Sequence, residues 1–230
     1  MTAVIRALIA ALVMQGCGVA SPPTEVPSPT APPLSAVTLG ADVLYLGVWG
    51  EGPDTVWIVG GGPDGGVVAH YDGARIFYEQ TPPGAKLWWV HGVDAHHLWA
   101  VGEEGRVLRR DAEGWRPEDT GLGEKAVLWG VWAAGPDDIW AVGGSYRRGG
   151  PKAVVLRSTG DGQWRRVADA AFPADFNFYK IWGAGPDDVL LVGEGGVSVH
   201  WDGARFRRLD TGVSDLLFTV HGVASGPRLA

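Results

Sequence analysis

Cysteine is nearly absent: Cys17 stands alone in 230 residues, so no internal disulfide and no cysteine-rich zinc site can be assembled. Cations are also short. Nineteen Lys and Arg against 26 Asp and Glu leave a net charge of −7. A nucleic-acid binder carries a basic patch, so this balance argues against one, while a cationic partner stays compatible with it. Helix signals are missing. The chain holds 36 Gly and 16 Pro, residues that interrupt helices, and without a helix there is no glycine loop at a helix start to hold a phosphate. No Gly-x-Ser-x-Gly nucleophile motif occurs. The apolar run Ala7–Val13 is too short to span a bilayer.

What the chain has is a phrase that it repeats. Residues 47–60 read GVWGEGPDTVWIVG, residues 89–102 WVHGVDAHHLWAVG, residues 130–143 GVWAAGPDDIWAVG and residues 180–193 KIWGAGPDDVLLVG. A fifth copy opens at residue 219 with TVHG. The anchors Trp49, His91, Trp132, Trp182 and His221 are spaced by 42, 41, 50 and 39 residues. A period in the forties with several short strands per repeat marks a propeller blade.

One repeat divides into four apolar runs. In the first they are Val43–Gly50, Thr55–Gly60, Gly66–Tyr71 and Arg75–Gln80, strands A to D. Between A and B stands Gly52-Pro53-Asp54, repeated as Gly135-Pro136-Asp137-Asp138 and Gly185-Pro186-Asp187-Asp188; Pro presets φ for a turn and Asp bonds back to local amides. Between C and D stand Asp72-Gly73, Asp161-Gly162 and Asp202-Gly203, a two-residue hairpin signal. Strand B is apolar on both faces, as in Val56-Trp57-Ile58-Val59 and Ile139-Trp140-Ala141-Val142. A sheet packed between two neighbours reads this way. Trp57, Trp99 and Trp140 share one repeat position, and Phe77, Trp115, Trp164 and Phe206 mark strand D; recurrence at fixed positions makes them packing residues.

These features predict an all-β fold, a β-propeller of four-stranded antiparallel blades. Four full repeats occupy about residues 43–84, 85–125, 126–175 and 176–215, and the start of a fifth occupies 216–230. The ring is incomplete, and the chain is read as part of a longer propeller. The pattern is similar to the Trp-rich propeller repeats of predicted bacterial lipoproteins, with core text close to VWG-x-GPDDVWAVG and a strand ending His-Trp-Asp-Gly, here Val199-His200-Trp201-Asp202-Gly203. More distantly it resembles Asp-box and WD-type propellers, although Ser158–Trp164 has the wrong spacing for an Asp box. The likeness implies the fold and no particular reaction.

The N-terminus fits that likeness. Residues 1–17 read as a signal peptide: Arg6, the apolar run, then Met14-Gln15-Gly16-Cys17, which resembles a lipobox and implies lipid attachment at Cys17. Met14 and Gln15 stand where that motif has Leu and a small residue. The alternative is an incidental Cys at the end of a secretory signal. Residues 18–38, rich in Pro, Ser and Thr, cannot bury enough apolar surface to order themselves and suit a tether. Residues 39–230 form the folded domain. Gly18 follows Cys17 in place of Asp. By the same resemblance, this implies the outer membrane of a bacterial envelope, with the membrane as partner through the lipid.

Sequence places a site on one rim. The A–B and C–D turns lie on one face of a blade and are uniform; the B–C loops and D–A connections lie on the other and vary. The third repeat carries both long insertions, Gly144–Lys152 and Val167–Tyr179. Loops on a rigid scaffold are where binding residues sit. Tyr146, Arg147, Arg148, Lys152, Phe176 and Tyr179 are the candidate ligand-binding residues, suited to a glycan, peptide or protein partner. The alternative is aromatics packed under their own loop beside solvated cations. His70, His91, His200 and His221 recur at repeat positions and read as structural. His96-His97 in a turn lacks companion ligands, so no metal is expected, and no cofactor. The pairs Asp137-Asp138 and Asp187-Asp188 are adjacent turn residues that cannot straddle a scissile bond. With no catalytic constellation, the chain is read as a binding module and not an enzyme; the alternatives are a sialidase-like glycoside hydrolase and a structural scaffold.

Overall fold

The computed structural model describes residue 39, residues 42–222 and residues 228–229. The residues read as a signal peptide and a tether, with Cys17, lie outside the described residues. Turn chemistry cuts the chain as the repeat predicts. The first blade is β1 (Leu44–Gly52), β2 (Thr55–Gly62), β3 (Gly65–Tyr71) and β4 (Ile76–Tyr78). The second is β5 (Leu87–Asp94), β6 (His97–Gly102), β7 (Val107–Asp111) and β8 (Gly114–Glu118). The third is β9 (Val127–Gly135), β10 (Asp138–Gly144), β11 (Val154–Ser158) and β12 (Arg165–Arg166). The fourth is β13 (Phe178–Gly185), β14 (Asp188–Gly193), β15 (Ser198–Trp201) and β16 (Phe206–Leu209), with a single 3-10 turn at Glu194–Gly196. Each blade is an antiparallel meander in sequence order. A short pair, β17 (His221–Gly222) and β18 (Arg228–Leu229), begins a fifth. No α-helix occurs among the described residues.

The first strand of each blade packs on the first strand of the next, β1 on β5, β5 on β9, β9 on β13 and β13 on β17. These strands form the hub of a β-propeller, which the described residues leave open. Strand B supplies the layers between blades. Trp57, Trp99 and Trp140 are each 1% exposed, and their clusters join residues of adjacent blades.

The anchors pack the hub strands together by a size rule. The Trp49 ring lies where a Cβ on Gly92 would fall, at 2.9 Å. Trp132 lies so on Gly183 and Trp182 on Gly222. His91 has a smaller ring, and the residue it meets in the next blade is Ala133, whose N–H donates to His91 Nδ1 at 3.2 Å. Each anchor ring therefore sets the size of the residue after the next anchor. Outer strands follow a similar rule. Glu79 and Glu118 stand at the same point of the D runs of the first two blades, and accept the indole N–H of Trp115 and Trp164 in the blade that follows. Where the third blade has Val167, the next blade has Phe206, which has no N–H to satisfy.

Candidate functional site

The site begins as a defect in the hub strands. In each blade the pairing of strands A and B skips two residues, one beside the A–B turn and one near the start of strand A; the latter is Leu46, Trp88, Trp129 or Tyr179. A β-bulge leaves its extra residue unpaired and re-aims the side chain. Opposite each of these four residues stands the glycine that ends the repeated phrase, Gly60, Gly102, Gly143 or Gly193. A Cβ on any of them would fall 2.0 Å from a carbonyl oxygen of the bulged strand. The terminal glycine of the phrase is thus the residue that permits the bulge.

The bulged side chains meet at the axis. Trp88, Trp129 and Tyr179, with Phe218 just before β17, wall a cavity of about 290 Å³. Its rim comes from the variable face: Glu103 and Glu104 between β6 and β7, Glu124 and Lys125 before β9, and Ser145, Tyr146 and Arg147 after β10. The same four aromatics, joined by Leu46, Trp89, Lys180 and Thr219, line a deeper space of about 150 Å³. Ring centroids lie 4.9 Å apart for Trp129–Tyr179, 5.3 Å for Trp129–Tyr146 and 5.6 Å for Tyr179–Phe218, an unbroken aromatic wall.

Hydrogen bonds hold that wall. Glu194 accepts the Tyr179 hydroxyl at 3.0 Å and the Asn177 N–H at 2.8 Å. Fully buried Asn177 accepts the Ser145 N–H at 3.0 Å through Oδ1. Ser145 Oγ in turn accepts the Arg147 N–H at 3.0 Å and donates to the Lys125 carbonyl at 2.6 Å, so the loop bearing Tyr146 is fixed to the fourth blade. Burial, and then the Glu194 charge, push the Tyr146 phenol above its ordinary range. At the floor Lys180 Nζ donates to the Trp129 carbonyl at 2.8 Å and lies 3.7 Å from the Trp89 ring centroid. Burial lowers its pKa to about 7, since a desolvated ammonium is disfavoured. Trp88 Nε1 is shielded from solvent and bonds to no described residue.

The structure brings three of the six sequence candidates to the cavity: Tyr146, Arg147 and Tyr179. Lys152 stands behind them, its Nζ 5.9 Å from the Tyr146 ring centroid. Arg148 is exposed at the loop tip and offers only its carbonyl, to Lys125 Nζ at 3.3 Å. Phe176 lies over Gly195 and lines a different groove with Arg208, Thr211 and Val213. Sequence reasoning missed Trp88, Trp129, Phe218, Glu103, Glu104 and Lys180. The available signal was the position three residues before each anchor, which reads Leu46, Trp88, Trp129, Tyr179, Phe218.

The remaining candidates sit in packing roles. His70 stacks on Trp57 with centroids 4.2 Å apart, 3.1 Å from Glu79. His200 Nε2 meets Asp188 at 2.7 Å and His97 Nδ1 meets Asp94 at 2.9 Å. Asp138 pairs with Arg157 at 2.7 Å, in the turn face away from the cavity rim. Among the described residues no group of three His, Cys, Asp or Glu side chains is placed to hold a metal.

No protein-family model matches the chain. No curated protein matches it. Among solved structures it is similar to YCF48 from Cyanidioschyzon merolae, with 16% identity and a TM-score of 0.54 over 73% of this chain and 53% of that one. It is also similar to a catalytically inactive H270A virginiamycin B lyase from Staphylococcus aureus with quinupristin. There the identity is 13% and the TM-score 0.61, over 76% of this chain and 58% of that one. The chain thus spans somewhat more than half the length of these two structures, and at such identities the likeness shows the propeller fold. It also corrects one expectation. The sequence was read as not an enzyme because it shows no catalytic motif, yet a lyase shares this fold. A propeller assembles its site from separate blades, so a missing linear motif excludes nothing. The likeness assigns this chain no activity.

Proposed function

We propose that the protein is an envelope-tethered binding module that takes its ligand at the axial mouth. One observation carries this reading: bulges at the same repeat position turn three aromatic side chains, Trp88, Trp129 and Tyr179, into one cavity beneath the variable loops. Ligand pockets are concave and mostly apolar with a few polar groups at the edge, and this cavity has that composition. A glycan or a peptide side chain can stack on such a wall. The quinupristin-bound lyase is an instance of a propeller of this fold holding a ligand.

Tryptophan fluorescence of the full-length protein tests the reading against panels of oligosaccharides and peptides. Ligands that shift the emission are expected to lose affinity on the order of ten-fold or more in Trp129→Ala and Tyr146→Ala, as an aromatic hot spot does. Hits that bind both variants as tightly as wild type would place the site elsewhere. The tether is a separate part of the proposal, supported by the lipobox-like Met14–Cys17 and the Pro-rich residues 18–38. Metabolic labelling with an alkyne fatty acid should mark the wild type and not Cys17→Ser; equal labelling of both would remove the anchor.

A further inference from the structure

We infer that the axial mouth is selective for an organic cation, the guanidinium or ammonium group of a peptide side chain or of a free solute. This inference rests on the binding reading above and names the chemistry of its ligand. Trp129, Tyr146 and Tyr179 line the cavity as one cluster of aromatic rings, and aromatic rings attract cations, Trp most of all; Lys152 Nζ already lies 5.9 Å from the Tyr146 ring centroid. Tyr179 donates its hydroxyl to Glu194. A phenol bonded to a carboxylate is more electron-rich, which strengthens that attraction. The Tyr179 ring, which lines the cavity, is therefore polarised through its hydrogen bond to Glu194.

The charges at the rim point the same way. Glu103 and Glu104 form no hydrogen bond or ion pair among the described residues through their carboxylates, and both line the cavity. Lys125 and Arg147 line the cavity too and keep their charge, so three carboxylates, Glu103, Glu104 and Glu124, stand against two cations there. Arg147 Nη1 donates to the Glu124 carbonyl and Lys125 Nζ to the Arg148 carbonyl, each at 3.3 Å. Lys180 lines the deeper space and not the mouth, donating to the Trp129 carbonyl. Arg106, whose charge Glu104 feels, is bound to the carbonyls of Ala85 and Pro82. The mouth thus offers aromatic rings and a lining with more carboxylates than cations, complementary to a cation with an apolar stem.

Backbone geometry adds an independent sign. In the fourth blade the residue after Glu194 is Gly195 with φ 65°; at the same point of the second blade stands Glu104 with φ 61°. Left-handed backbone favours glycine, and a non-glycine held there is a pointer to function. The second blade keeps a carboxylate where the fold prefers none.

The test uses the full-length protein with four probes: N-acetyl-arginine amide, and the tripeptides acetyl-Gly-Arg-Gly-amide, acetyl-Gly-Gln-Gly-amide and acetyl-Gly-Glu-Gly-amide. Affinities come from tryptophan fluorescence and calorimetry. The arginine tripeptide should bind on the order of ten-fold more tightly than the glutamine one, with the glutamate one weakest, and the preference should fall as salt rises. Glu103→Gln with Glu104→Gln, isosteric at the rim, should erase the preference while thermal unfolding shows a folded protein. If N-acetyl-arginine amide equals the arginine tripeptide, the cation itself is the ligand; a tighter tripeptide assigns it to a peptide chain. Equal affinity for the three tripeptides, still lost in Trp129→Ala, would overturn cation selectivity and leave the binding site standing. Binding of the arginine probes that Trp129→Ala does not weaken would overturn both.

Discussion

A residue in this propeller is chosen for what its neighbour in the next blade needs. Trp49 requires Gly92 and Trp132 requires Gly183, while the smaller His91 admits Ala133. Glu79 shows the same dependence with charge. Burial raises its carboxyl pKa, but the Arg110 hydrogen bond and charge, and the indole donors of Trp115 and Trp57, outweigh burial and hold it below the ordinary range. Glu104 departs from this consistency: it holds left-handed backbone, φ 61°, where the fourth blade has Gly195. Glu104→Gly should relieve strain of about 1–2 kcal/mol, partly offset by the extra freedom of glycine in the unfolded chain. A net gain of up to about 1 kcal/mol, or a Tm rise of roughly 2–4 °C, is expected, together with weaker binding of arginine peptides. A lower Tm would show that Glu104 stabilises the loop and is not retained against its backbone preference.

At the scale of the element, the A–B strand pair of each repeat carries a bulge at a fixed point. The turns of this element were legible in the sequence, because Gly-Pro-Asp-Asp and Asp-Gly have local meaning and cut the chain almost where the strands end. Doubly apolar strand B was legible for the same kind of reason: it reports burial on both faces. The bulge was not. Leu87-Trp88-Trp89-Val90 reads as a continuous run, and only pairing with β6 shows that Trp88 has left the ladder. The axial aromatics therefore passed unnoticed, while the long loops of the third repeat drew attention to Arg148 and Phe176, which lie outside the cavity. Gly102→Ala tests the bulge. Its Cβ would meet the Lys86 carbonyl oxygen at 2.0 Å, backbone that must move. A loss of about 1–3 kcal/mol is expected from such overpacking, with weaker ligand binding as Trp88 shifts. Gly52→Ala, whose Cβ meets nothing within 4 Å, should change stability by no more than a few tenths of a kcal/mol. Equal effects at both sites in chemical denaturation would rule out a special role for the bulge.

For the whole molecule, the hub is where stability and pH meet. His91 sits between Trp49 and Trp132, with centroids 6.2 and 6.4 Å away. Its Nδ1 accepts the Ala133 N–H, so the proton of the neutral ring resides on Nε2. Burial first, and then the charge His221 carries when protonated, lower the His91 pKa from 6.5 to about 4. Protonation would also cost the acceptor that ties the second blade to the third. The unfolded chain takes up this proton below about 6.5 and the folded chain only near 4. Stability from this residue is therefore complete above pH 6.5 and is lost as pH falls toward 4. Between pH 7 and pH 5, above the range where carboxylates titrate, the expected loss is about 2 kcal/mol. Urea denaturation at the two pH values measures it. His91→Gln should be less stable at pH 7 yet lose much less on acidification, because a carboxamide takes up no proton there. If the variant and the wild type lose equal stability between pH 7 and pH 5, the hub histidine is not the group that makes this propeller sensitive to acid.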